Sequence, residues 1–98
     1  MPWQFLDEAK RICITRDCII EIRGKVIALI PKEHPNCEVL CDILKEAKKI
    51  LLSCPPHRRG IEFGYILLNI SYYEEQGIIT ENERRFLTDV VQRMMDYL

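Results

Sequence analysis

Residues 37–53, CEVLCDILKEAKKILLS, constrain the architecture more than any other stretch of the chain. Their apolar side chains recur every three or four residues, the spacing that places them on one face of an α-helix. Acidic residues come early and lysines late, an order that suits the helix dipole. The following Cys54-Pro55-Pro56 stops a helix, because the residue before a proline avoids helical geometry. We therefore predict one unbroken helix whose apolar face comprises Leu40, Ile43, Leu44, Ala47, Ile50 and Leu51.

A β-hairpin is predicted just before this helix, at residues 18–30. Two runs rich in β-branched residues are separated only by Arg23-Gly24. Glycine as the second residue of a two-residue loop favours a type I′ turn, which requires positive φ. Asn36 is then the predicted N-cap of the helix. Because an isolated hairpin is only marginally stable, we expect its apolar face to pack against helices.

The N-terminal residues 3–13 also have helical periodicity, with Pro2 suited to the start of a helix. Residues 12–15 are a weaker candidate for a third short strand.

Two further helices are predicted toward the C-terminus. Residues 59–76 have one apolar stripe at Ile61, Tyr65, Leu68 and Tyr72, and other apolar residues widen it to almost the whole circumference. Alternation over 61–66 makes a strand there the competing prediction. Gly77 suits a helix C-terminus, and Thr80-Glu81-Asn82-Glu83 is a capping box that opens a helix over about 81–97.

Together these elements predict a single domain over residues 1–98. With 98 residues, 48% hydrophobic and 30% charged, the composition is that of an ordinary globular protein. The predicted fold class is α+β and mostly helical, with four helices and one antiparallel β-hairpin in the order α-β-β-α-α-α.

The cysteines are interpreted through the expected cellular location. The N-terminus lacks the basic and apolar regions of a signal peptide, and no apolar run is long enough to span a bilayer. We therefore expect a cytoplasmic protein with no membrane association. In that reducing environment the five cysteines, an odd number, are predicted to be free thiols.

A zinc site is the functional site that the residue types in the sequence suggest most directly. His34, Cys37, Cys41, Cys54 and His57 are all of residue types that bind zinc. However, the predicted helix holds Cys41 and Cys54 roughly 20 Å apart at its rise per residue. One ion cannot bridge that distance, and we predict no metal.

No catalytic residue is predicted either. Cys54 and His57 resemble a nucleophile and its base, but Cys54 lies at a helix C-terminus, where the dipole disfavours a thiolate. No phosphate-binding loop or hydrolase motif occurs. We therefore expect no enzyme activity and no cofactor.

The predicted function is that of a non-enzymatic interaction or regulatory protein. The C-terminal helices carry more apolar side chains than a small core needs, and aromatic residues and methionine are enriched in interface cores. The surface would bind a protein partner or a second copy of the chain in a homo-oligomer. The predicted partner-binding residues are Tyr72, Tyr73, Phe86, Met94 and Tyr97.

Nucleic-acid binding is the alternative prediction. A basic cluster around residues 45–59 offers Lys48, Lys49, Arg58 and Arg59 as phosphate contacts. The net charge of −1 is far from the strongly basic composition typical of a DNA-binding domain. A helix-turn-helix is disfavoured as well, because Glu81 and Glu83 would meet the phosphates at the start of the recognition helix.

Overall fold

A computed structural model describes residues 16–96 as a hairpin followed by three helices. The strands are β1 (Cys18–Ile22) and β2 (Lys25–Ile30), and the helices are α1 (Cys37–Ser53), α2 (Pro56–Glu75) and α3 (Glu81–Asp96).

The predicted order α-β-β-α-α-α with four helices is wrong, because residues 16–96 have the order β-β-α-α-α with three helices. The predicted helix over 3–13 and the candidate strand over 12–15 lie outside the described residues. The count of four helices depended on this N-terminal pattern.

The hairpin turn is confirmed, and it is accompanied by a bulge. Arg23 and Gly24 have φ values of 53° and 78°, as a type I′ turn requires. Val26 pairs with Glu21 and Ala28 pairs with Ile20, which leaves Ile27 as an extra residue in β2. This bulge lets Ile27 and Ala28, although consecutive, both point into the core.

Helix α1 is unbroken from Cys37 to Ser53, as predicted. Glu38 lies in its first turn. Asn36 occupies the N-cap position, but its side chain makes no capping hydrogen bond. The Asn36 Nδ2 instead donates to Glu83 Oε1 at 2.9 Å, because a charged acceptor on α3 lies within its reach.

Helix α2 includes residues 61–66, which excludes the competing strand. It begins at Pro56, three residues before the predicted start, because proline is favoured in the first turn of a helix. At its end Gly77 has a φ of 73°. The Gly77 amide donates to the Glu74 carbonyl and the Ile78 amide to the Tyr73 carbonyl, which together form a Schellman motif.

Helix α3 starts with the predicted capping box. The Glu83 amide donates to Thr80 Oγ1 at 3.1 Å, and the Thr80 amide donates to Glu83 Oε1 at 2.7 Å. The three helices pack against one another, and the hairpin lies mainly against α1. Large side chains with almost no exposure form the centre of the core: Ile20, Ile22, Leu44, Phe63, Ile70, Leu87, Val90, Val91 and Met94.

The prediction that all cysteines are free thiols is wrong for two of them. A disulfide joins Cys18 on β1 to Cys41 on α1, with 6.0 Å between their Cα atoms. The two residues are 23 positions apart, and only the packing of the hairpin on α1 brings them together. Disulfides persist mainly in oxidising environments, and the cytoplasmic location stays a prediction.

Candidate functional site

Helix α2 has apolar side chains on two opposite faces. Phe63, Ile66 and Ile70 are buried against the rest of the domain. On the other side, four large apolar residues follow one another at spacings of four, three and four positions, so they lie in a line about 16 Å long. We call this line the outer stripe. Its exposed fractions are Ile61 59%, Tyr65 59%, Leu68 67% and Tyr72 51%.

The geometry of an α-helix accounts for the exposure of the outer stripe. Each residue advances by about 100° around the axis, so Leu68 points nearly opposite to the buried Phe63 and Ile70. A side chain there cannot turn back into the core. Single exposed apolar residues are common on protein surfaces, whereas contiguous exposed apolar patches are a general feature of interaction sites.

Charged and small residues border the outer stripe. Arg58 and Glu62 form an i,i+4 ion pair with 3.8 Å between Nη2 and Oε2. Both are partly solvated, so this pair contributes little to stability. Glu75 is exposed at the other end of the helix, while Gly64 and Ser71 lie along one flank. The border is therefore polar around an apolar centre, as is typical of protein interfaces.

A smaller apolar group lies on the outer face of the hairpin. Ile19 pairs with Leu29 across the strands, and both are more than half exposed, as is Val26. The group contains no aromatic residue, and the exposed Glu21 lies between its members. We therefore regard the outer stripe as the stronger candidate.

The structure separates the predicted partner-binding residues. Tyr72 belongs to the outer stripe, whereas Tyr73 is half-buried and packs against the core. Their rings are 6.1 Å apart between centroids. Phe86 on α3 is half-buried against the core, Met94 is fully buried in it, and Tyr97 lies outside the described residues. Burial raises the pKa of the Tyr73 hydroxyl, with a further contribution from Tyr72, so this group stays protonated at neutral pH.

Ile61, Tyr65 and Leu68 were not among the predicted partner-binding residues. The signal was present in the sequence, since these three residues and Tyr72 form a stripe at helical spacing. A second apolar stripe shares the helix, however, and periodicity alone does not indicate which of two stripes faces the core. Only the packing of α2 on α1 and α3 decides it.

The basic cluster is divided between two helices. Lys48 and Lys49 lie near the end of α1, and Arg58 and Arg59 lie in the first turn of α2. Lys49 and Arg58 are exposed. Arg59 is half-buried, and within residues 16–96 its Nε atom is buried without a hydrogen-bond partner. The role of this cluster in binding nucleic acid stays a prediction.

A buried acid holds the loop after β2 against α3. Glu83 accepts hydrogen bonds from the Thr80 amide and from Asn36 through Oε1, and its Oε2 bonds to His34 Nε2. Burial alone would raise the pKa of Glu83, but these hydrogen bonds outweigh it and hold the pKa below its usual value. A carboxylate so fully occupied is a poor proton acceptor, and its contacts are those of a structural clasp.

An open, largely apolar pocket of about 240 Å³ adjoins this clasp. It is smaller than most pockets that bind drug-sized ligands, which begin at about 300 Å³. Its lining includes Leu29, Ile30, Pro31, His34, Leu40, Asn82, Glu83 and Phe86.

The Cys37 thiol, one of the two free cysteines among residues 16–96, lies in an environment that disfavours reactivity. The Cys37 thiol is buried, and its Sγ lies 3.8 Å from the Ile30 carbonyl oxygen. Burial raises the pKa of this thiol, which disfavours the nucleophilic thiolate. Across the described part of the chain, no three His, Cys, Asp or Glu side chains converge as ligands for a metal ion.

No protein-family model matches this chain, and no curated protein or solved structure is significantly similar to it. None of the helices within residues 16–96 is long and apolar enough to cross a lipid bilayer. Function must therefore be inferred from the surfaces of the chain itself.

Proposed function

We propose that this chain is a non-enzymatic protein-interaction module and that the outer stripe of α2 binds its protein partner. The observation that carries the proposal is the line of four large apolar side chains, each more than half exposed. Helices commonly present anchors at this spacing to a groove or a second helix. Two of the four are tyrosines, a residue type enriched at binding hot spots.

The free energy of hydration supports the proposal. Fully burying a large apolar side chain is worth about 1.5–3 kcal/mol relative to exposure. Each member of the outer stripe is already partly covered, so a partner that removes the rest from water gains about 1 kcal/mol per residue. Because the four residues lie in one line, a single partner could cover them all and gain this free energy from each.

The rigidity of α2 lowers the cost of binding. Phe63, Ile66 and Ile70 fix the helix to the core directly behind the outer stripe. The helix backbone is already ordered, so binding orders only a few surface side chains.

A site-specific photo-crosslinker placed at Leu68 tests the proposal in an extract of the cells that make the protein. The matched control carries the same group at Gln92, which is exposed on the polar side of α3. We expect a discrete adduct from position 68 and none from position 92. Equal labelling from both positions, or none from position 68, would contradict the proposal.

A Leu68→Glu substitution provides a second test of the proposal. Because Leu68 is 67% exposed, the variant should unfold at the same temperature as the parent chain. It should nevertheless lose the adduct when the crosslinker is placed at Tyr65. Retention of that adduct would show that the outer stripe does not make the contact.

Nucleic-acid binding through Lys48, Lys49, Arg58 and Arg59 is the weaker proposal, because Arg59 is half-buried and Arg58 is paired with Glu62. It requires binding that weakens steeply with salt. A mobility shift with single-stranded and duplex probes at low ionic strength tests it, and the absence of a salt-sensitive shift would dismiss it.

A further inference from the structure

We propose that the partner of the outer stripe is a second copy of this chain, with the two α2 helices packed antiparallel around a two-fold axis between Tyr65 and Leu68. This inference rests on the proposed function, because it identifies what covers the same surface.

The spacing of the outer stripe is that of a helix–helix seam. The steps alternate between four and three residues, so each pair of steps covers seven residues, or 3.5 per turn. This is the repeat that keeps apolar residues facing a partner helix in a coiled coil. The same steps continue to Arg58 before Ile61 and to Glu75 after Tyr72. The seam therefore has an apolar centre and a charged residue at each end, of opposite sign.

These end charges favour the antiparallel arrangement. With the helices antiparallel, Arg58 shares a layer with the partner's Glu75, and the two-fold axis repeats this contact at the other end. With the helices parallel, Arg58 would face the partner's Arg58 and Glu75 the partner's Glu75. Facing like charges disfavour a complex, whereas complementary charges fix its register.

The apolar layers are also complementary in the antiparallel register. Ile61 lies opposite the partner's Tyr72, and Tyr65 lies opposite the partner's Leu68. Each layer thus joins an aliphatic side chain to an aromatic one and avoids facing two large rings. A two-fold interface of this kind is closed, since the same surface serves both copies.

Small residues on one flank allow the helices to approach closely. In this register Gly64 lies near the partner's Ser71. A Cβ atom added at Gly64 would meet nothing within 4 Å, so the fold of one chain does not require glycine there. Glycine in a helix permits close contact with another backbone, which the dimer would use.

The size of the interface indicates a reversible dimer. One pair of helices in contact over this length buries less than the roughly 1,600 Å² of a standard interface. We therefore expect a dissociation constant on the order of tens of micromolar. Association should be visible in purified protein as a mass that rises with concentration.

Sedimentation equilibrium of the purified full chain tests this proposal. The mass should rise from 11.6 kDa toward twice that value across the micromolar range. Leu68→Glu should abolish the rise, and Gln92→Glu, as the control, should leave it unchanged. A mass that stays at the monomer value up to millimolar protein, or a dimer unaffected by Leu68→Glu, would overturn the proposal.

A charge exchange tests the register. Arg58→Glu and Glu75→Arg alone should each weaken the dimer about tenfold or more, since each places like charges in both end layers. The double variant restores opposite charges and should recover most of the parent affinity. Circular dichroism melts confirm that each variant is folded. A double variant no tighter than the single variants would overturn the antiparallel arrangement.

The two proposals fail in different ways. A crosslinked adduct from position 68 whose mass differs from twice that of the chain, together with a monomeric purified protein, would overturn self-association and leave the interaction function standing. No adduct from position 68 and no dimer would overturn both.

Discussion

Helices α2 and α3 are of similar length and lie against each other, yet their apolar residues are distributed differently between core and surface. In α3 the apolar side chains face inward, with Leu87, Val90, Val91 and Met94 all buried. Its outer face carries the ion pairs Arg85–Glu81 and Arg93–Asp89. In α2 the apolar residues divide between the core and the outer stripe.

This difference shows what each helix contributes. Helix α3 has one apolar face, and the core buries most of it. Helix α2 has a second apolar face that no described part of the chain covers. The proposal of a partner-binding surface rests on this second face.

The largest expected effect comes from the same substitution placed on the two helices. Leu87→Ala on α3 should lower the free energy of unfolding by about 2–5 kcal/mol, because it leaves a cavity in the core. Leu68→Ala on α2 should change it by no more than about 0.5 kcal/mol. Urea unfolding measures both. Similar losses in the two variants would show that the outer stripe is covered within the chain.

Breaking the disulfide should have the next largest effect and should separate folding from association. Linking residues this far apart restricts the unfolded chain and stabilises the fold by about 3 kcal/mol. The double variant Cys18→Ala, Cys41→Ala should unfold at correspondingly lower urea, while any association through α2 persists under native conditions. A Cys54→Ala variant is the control, since Cys54 is a free thiol.

Glu83 gives a smaller effect that depends on pH. The pKa of Glu83 is lower in the folded protein than its ordinary value of 4.5. Its contribution to the free energy of unfolding is therefore fully present above pH 4.5 and is lost as the pH falls through the folded pKa. Glu83→Gln should therefore cost about 1–2 kcal/mol at pH 7, and this difference should shrink toward pH 3. Gln92→Ala, on the exposed side of α3, removes no titratable group, so its effect on stability should stay constant when unfolding is followed across pH.

The smallest expected effect concerns the start of α3. Thr80→Ala removes the oxygen that accepts a hydrogen bond from the Glu83 amide. It should lower the free energy of unfolding by about 1 kcal/mol. Ser71→Ala on the exposed side of α2 should stay within about 0.5 kcal/mol. Thermal melts of the two variants compare them. An equal loss at Ser71 would indicate a structural role for the polar flank of α2.

Features determined by local interactions were predictable from the sequence. The Arg23-Gly24 turn, the capping box at Thr80 and the helix end at Gly77 each depend on residues within a few positions of one another. The unbroken α1 followed from a single clear apolar face. The order of these described elements was therefore accessible without a structure.

Features that depend on tertiary contacts were not predictable. The extra residue at Ile27 places two consecutive side chains in the core, a packing that the alternating pattern of a strand does not predict. The disulfide and the hydrogen bond from Asn36 to Glu83 each join residues that are far apart in sequence. Among the predicted partner-binding residues, Met94 is in the core, because its stripe on α3 faces α1 and α2.

The disulfide also has a consequence for proteolysis. Cys18 and Cys41 close a covalent ring that contains both strands of the hairpin, the loop from Pro31 to Asn36 and the first turn of α1. Any single cut of the peptide chain inside this ring leaves the two fragments attached to each other. If a protease cleaved the exposed loop once, the two fragments would stay linked, and the mass would rise only by that of one water molecule. A reducing agent would then separate the fragments.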